Sequence, residues 1–259
     1  MSALHVVLRR AILAAAESER LQRLVRRHGM RLGAARFVAG ETLDAAVPVL
    51  RRLNERGLLT NTTLLGEGVS DEAETRAVVE AYKELLDRVH AERLQTNVAL
   101  KLTHLGLALE EELAYANVAE LVDHARDRGN FIRIDMEESA YVDATLRTFR
   151  RLRESGRENV GTVLQSYLFR TENDLVSLLD LSPNLRLVKG AYLEPSDVAH
   201  PRKEDVDAAY ARLAERMLAA AGFTAIATPY GPDWYRYLMR RLAERPANLM
   251  FFARSVVRR

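Results

Sequence analysis

Arg186 and Lys189 lie three residues apart at the end of an apolar run, Arg186-Leu187-Val188-Lys189-Gly190-Ala191-Tyr192-Leu193-Glu194. A strand that only packs carries Val, Ile or Leu throughout. Two cations where such a strand ends are costly unless an anion or a polar cofactor meets them. Gly190 removes a side chain where a flat or bulky group can approach the backbone. Cations snorkelling from a plain strand end are the competing reading. Other runs of the same kind weigh against it. Lys101 follows Asn97-Val98-Ala99-Leu100, Asp135 follows Ile132-Arg133-Ile134, and Gln165 closes Val160 to Gln165. An acid, an amide and fixed cations at strand ends can hold a polar cofactor and a charged substrate. Lys101 or Lys189 can alternatively serve as a Schiff-base amine, as in an aldolase-type barrel.

The elements that position these residues are legible as an alternation. Short apolar runs occur near 58–66, 96–103, 131–136, 160–167, 184–192 and 223–228. Between them lie helical stretches 71–93, 107–128, 138–155, 172–181 and 203–221, preceded by helical periodicity at 4–29 and 41–56. Strand alternating with helix predicts βα units on a parallel sheet. Parity sharpens this. Val98, Leu100, Leu102, Ile132, Ile134 and Met136 fall on one face, while Lys101, Arg133, Asp135, Gln165, Arg186 and Val188 fall on the other. A TIM-like barrel predicts such a pattern, with apolar residues under the helices and functional groups inside at the C-terminal rim. The expected layout is an N-terminal helical arm over 1–56 and a distorted α/β barrel over 57–259. Gly66-Glu67-Gly68 lacks the third glycine of a dinucleotide fingerprint.

Composition narrows the chemistry. The chain has 259 residues, 48% of them hydrophobic, a net charge of +2 and no cysteine. That excludes thiolate nucleophiles and disulfides, fits the cytoplasm, and gives no bulk field for nucleic acid. The six histidines show no HxH or HExxH spacing, so no metal site is expected. Leu4 to Ala16 is apolar, but Glu17 and Glu19 follow at once, which reads as a helix rather than a signal peptide.

Taken in order, the runs resemble the proline dehydrogenases. The resemblance is carried by Arg36-Phe37-Val38-Ala39-Gly40-Glu41-Thr42, Leu64-Leu65-Gly66-Glu67, Leu100-Lys101-Leu102-Thr103, Ile134-Asp135-Met136-Glu137, Leu164-Gln165-Ser166-Tyr167, the run from Arg186, Pro229-Tyr230-Gly231 and Trp234 to Asn248. It implies FAD at the barrel mouth, L-proline held against it, and conversion to 1-pyrroline-5-carboxylate. Electrons would pass to a membrane quinone from an enzyme in the cytoplasm or peripheral to the inner face of the membrane. Pyrroline-5-carboxylate dehydrogenase is a further partner implied. By the same resemblance Asp135 and Arg186 are catalytic. Met136, Gln165, Arg186, Val188, Lys189, Gly190, Ala191 and Thr228 would contact the flavin. Lys101, in a charge pair with Asp135, and Arg240 and Arg241 would hold the substrate. A guanidinium fork suits a carboxylate. Glu244 lies four residues beyond Arg240, as on a solvated helix face. A degenerate barrel kept as a scaffold is the non-catalytic alternative; it would need none of these residues.

One departure stands out. Ala225-Ile226-Ala227-Thr228 resembles the end of the family's sixth strand, but runs directly into Pro229-Tyr230-Gly231, which resembles the end of its eighth. On the order of fifty residues, two βα units, are expected between them in the full polypeptide. They would include a histidine after Thr228 and a tyrosine before Pro229.

Overall fold

The computed structural model describes residues 38–66, 68–218 and 226–230, the last without side chains. The helix expected at 4–29 lies outside them.

Order along the chain follows the alternation: α1 (Leu43–Glu55), β1 (Thr60–Leu64), α2 (Glu72–Ala91), β2 (Thr96–Leu100), α3 (Glu111–Arg126), β3 (Ile132–Ile134), α4 (Val142–Glu154), β4 (Val160–Gln165), α5 (Thr171–Leu178), β5 (Asn184–Val188), α6 (Lys203–Leu218) and β6 (Ile226–Tyr230). Helix starts are written locally. The Asp71 side chain accepts the Glu74 amide at 2.8 Å, and the Glu74 carboxylate accepts the Ser70 amide at 2.7 Å. The first bond satisfies a donor that α2 would otherwise leave orphaned, and the second ties the residue before the cap to the first turn. The Ser70 amide and hydroxyl hold the Glu74 carboxyl below its ordinary range. Along α2, Thr75, Val79, Tyr82, Leu86 and Val89 form the buried stripe that helical spacing requires.

Two compact units divide the chain, Leu59–Asn61 with Glu67–Ile226, and Met1–Leu58 with Thr62–Gly66 and Ala227–Arg259. In the larger unit the strand order is β5-β4-β3-β2-β1. The pairings among β2, β3, β4 and β5 are parallel. All six residues of β4 and all three of β3 are buried, as expected for parallel strands covered on both faces. Val98, Leu100, Ile132 and Ile134 are fully buried, α3 packs on β3, and α4 packs on β4. The parallel sheet with alternating helices is the α/β, partial TIM-like barrel that the sequence predicts.

In the smaller unit β6 neighbours β1. The run that reads as a sixth strand therefore stands where the closing strand of a barrel pairs with the first. It runs straight through the Thr228–Pro229 junction, and proline has no N–H to give a ladder, which suits an edge. Among the described residues β5 ends the order on its own side.

Candidate active site

Register turns the parity pattern into layers. Ala99, Arg133, Gly161 and Asn184 are paired across β2, β3, β4 and β5, and Val163 pairs with Arg186 two residues further on. The Asp135 amide donates to the Leu100 carbonyl at 2.8 Å. That bond carries the β2–β3 ladder one step past β3 and brings Lys101, Asp135, Val163 and Arg186 level. Gln165 and Val188 pair in the next layer toward the strand ends.

In the middle layer, Arg186 Nη2 donates to Asp135 Oδ1 at 2.5 Å, and Nη1 donates to Asn61 Oδ1 at 3.2 Å. Arg186 holds the Asp135 carboxylate, and half-buried Lys101 stands level with it on the neighbouring strand. Two buried atoms, one in this layer and one in the next, have no hydrogen-bond partner among the described residues: the Nε of Arg186 and the Oε1 of Gln165. The other end of the Gln165 amide is fixed, Nε2 donating to the Met136 carbonyl at 2.9 Å and the Glu137 carbonyl at 3.3 Å. One unmet donor and one unmet acceptor, at the ends of adjacent strands, fit a group with both kinds of polar atom on its rim. A flavin ring has both.

The segment after β5 is anchored against the segment after β4. The Ser166 amide donates to the Val188 carbonyl at 2.8 Å, Tyr167 to Lys189 at 3.0 Å, and His200 to Tyr167 at 2.7 Å. Gly190 has φ +107°, and a Cβ placed there would stand 2.1 Å from Cδ1 of Tyr167. The flat group that Gly190 admits is therefore the Tyr167 ring. Midway along this segment Glu194 accepts from the Ser139 amide at 2.7 Å and from its hydroxyl at 2.5 Å, just before α4. These ties set the backbone of Lys189, Gly190 and Ala191. The Met136 side chain packs with Val142, Val163, Tyr167, Leu168 and Ala199, and Val188 packs against that cluster.

Lys189 points its ammonium at Asp207 on α6, and Lys203 bonds the same carboxylate. These two cations hold the Asp207 carboxyl at about 2. A Schiff-base amine must be deprotonated, which burial favours and a carboxylate partner opposes. Lys189 has a counter-ion and a side chain 41% exposed.

Sequence reasoning gave no role to Asn61, Tyr167, Asp207, Thr103 or Glu137. Glu137 is buried, and its carboxylate accepts from the Thr103 amide at 3.1 Å and hydroxyl at 2.6 Å. This joins the segments after β2 and β3. Each lies two residues beyond a residue already singled out, Lys101 and Asp135, so parity alone could have paired them. Thr228 lies in β6, whose side chains are not described, and Arg240 and Arg241 lie outside the described residues. Among the described residues no acidic or histidine cluster could hold a metal ion, and no helix is long and apolar enough to cross a membrane.

Comparison with known proteins places this arrangement. The model of the proline dehydrogenase family matches residues 46–228. Proline dehydrogenase 1 of Bacillus subtilis is 33% identical over 303 residues, covering 98% of this chain and 100% of the relative. Proline dehydrogenase of Deinococcus radiodurans is 35% identical over 304 residues, covering 96% and 98%. The crystal structure of proline utilization A from Bdellovibrio bacteriovorus, inactivated by N-propargylglycine, superposes with a TM-score of 0.71 at 22% identity, covering 82% of this chain and 32% of that one. The B. subtilis alignment runs over 303 residues where this chain has 259, so on the order of fifty positions of the relative have no counterpart here. The family match ends at Thr228.

Proposed function

This chain belongs to the proline dehydrogenase family of flavin-dependent enzymes, and from that premise we propose that it oxidises L-proline to 1-pyrroline-5-carboxylate at the ends of β3, β4 and β5, with electrons passing on to a membrane quinone. The observation that carries the proposal is the Asp135–Arg186 pair, level with Lys101 and next to an unmet amide oxygen on Gln165. FAD, when bound, would take the hydride from the proline ring carbon beside nitrogen.

The chain's own residues would do the rest. Arg186 sets a fixed cation, braced by Asp135 and Asn61, where negative charge gathers on reduction. Gln165 offers its free carbonyl oxygen to a ring N–H. The anchored backbone of Lys189, Gly190 and Ala191, with Met136, Val188 and Thr228, completes the cradle. Lys101 and Asp135 line the substrate side. Pyrroline-5-carboxylate dehydrogenase is the partner suited to consume the product. Purified protein incubated with FAD and then freed of unbound flavin should stay yellow, and bleach on adding L-proline under argon. Colourless protein, together with borohydride trapping of a carbonyl substrate on a lysine, would favour the aldolase reading instead.

Arg240 and Arg241 are proposed as the carboxylate clamp. Arg240→Ala and Arg241→Ala should each weaken proline binding by about one to two decades, the cost of a lost charge-assisted contact of roughly 1.5–3 kcal/mol, with flavin retained. Unaltered carboxylate affinity in both variants would favour the solvated-face reading of these two arginines instead.

The junction is a second consequence. Strand closure argues that the polypeptide carries on the order of fifty further residues between Thr228 and Pro229. Intact mass should then exceed 29.2 kDa. A protein of that mass which binds FAD and oxidises proline would show that the family's chemistry survives on the shortened ladder.

A further inference from the structure

Arg133 lies one layer below the pair just described and takes no part in it. It is 4% exposed. Its Nη1 donates to the carbonyls of Thr162 at 3.2 Å and Asn184 at 2.8 Å, and its Nη2 donates to Asn184 Oδ1 at 2.6 Å. The Phe131 ring lies 5.0 Å from its guanidinium carbon. Every one of these partners is uncharged. The neighbouring strand makes room for it: a Cβ at Gly161 would stand 2.6 Å from Arg133 Nη1 and 2.3 Å from the Asn184 carbonyl oxygen.

A layer that only fills a lumen is built from branched apolar side chains. Burying a guanidinium among neutral acceptors is costly by comparison. The sheet bears that cost and also omits a side chain at Gly161. Arg133 lies two residues below Asp135 on the same strand face, roughly 7 Å at the usual rise. Two guanidiniums, on Arg133 and Arg186, thus flank one carboxylate. Burial, and next the charge of Arg186, lower the Arg133 guanidinium to about 10, still protonated at neutral pH.

We propose that Arg133 is a positioning residue of the flavin site: an unneutralised cation beneath Asp135 and Arg186 that raises the positive potential at the strand ends. The inference rests on the flavin reading of the same site. A bound flavin is then easier to reduce than Arg186 alone would make it, because a buried charge is weakly screened.

The test is the flavin midpoint potential, read by dye-equilibrated reduction of FAD-loaded protein. Arg133→Met removes the cation. Asn184→Asp leaves the hydrogen bonding in place and sets a carboxylate against Nη2, so it reports the same charge without excavating the layer. Both should shift the midpoint to more negative values, while Arg133→Lys, which keeps the charge, should stay near the parent. One midpoint shared by all four proteins, or a shift in Arg133→Lys as large as in Arg133→Met, would overturn the proposal. If Arg133→Met fails to fold, Asn184→Asp against Arg133→Lys decides in the same way. Parent protein that takes up no FAD would remove the flavin reading and this inference with it, whereas bound flavin at an unmoved potential would remove this inference alone.

Discussion

Arg186→Ala is expected to lower flavin content sharply, move the potential of any retained flavin downward, and reduce stability by about 2–3 kcal/mol. The stability loss has a definite origin. Arg186 is the cation held at 2.5 Å from Asp135, and its bond to Asn61 is lost as well. The Asp135 side chain is only 19% exposed, so water replaces the lost contact poorly, although the 32% exposure of Arg186 keeps the effect below that of a fully buried pair. Arg186→Lys keeps the charge but has no planar fork to reach both Asp135 and Asn61, so it should fall between. Flavin absorbance per mole of protein, the midpoint potential and a denaturant melt measure the three effects. A folded Arg186→Ala protein with the parent's flavin content and potential would take Arg186 out of the site.

Gly190→Ala should be nearly as damaging, through the backbone rather than through charge. At φ +107° a non-glycine residue is strained by about 1–2 kcal/mol, and the new methyl would be driven into the Tyr167 ring. Relief requires moving either the ring, which packs with Met136, Val163 and Leu168, or the backbone between Lys189 and Ala191. Overpacking of this kind costs about 1–3 kcal/mol more. Reduced flavin binding should accompany the loss, because that backbone carries part of the proposed cradle. Pairing Gly190→Ala with Tyr167→Ala separates the two contributions. The double variant should recover the clash but not the strain, so the two losses should fall short of adding. Strict additivity would mean that the ring and the glycine are not coupled.

How much of this was legible in the chain depends on the range of the interaction. The βα alternation was legible because burial on both faces of a parallel sheet forces strands such as Val160 to Gln165 to be apolar over a short, bounded length. Faces were legible too. Strand period is two, so Arg133, Asp135 and Glu137 had to share one side, and the register confirms that side for Arg133 through its pairing with Ala99 and Gly161. Gly190 was legible as a place of close approach, and the closing ring came from Tyr167, 23 residues away by number.

Partner choice was not legible. Asp135 could be paired on paper with Lys101 or Arg186, both level with it. That Arg186 reaches the carboxylate depends on side-chain length and direction across a twisted sheet, and no local pattern records that. The same holds for Asn61 with Arg186, at a separation of 125 residues, and for Lys189 with Asp207. Nor could the chain show that its last described strand lies beside the first, since ladder order is settled by which edges meet rather than by either strand's own residues. Sequence by itself determined the layers, because periodicity is local and burial enforces it. Only the tertiary structure decided what touches what within a layer, because those contacts depend on distances that the chain crosses once it is folded.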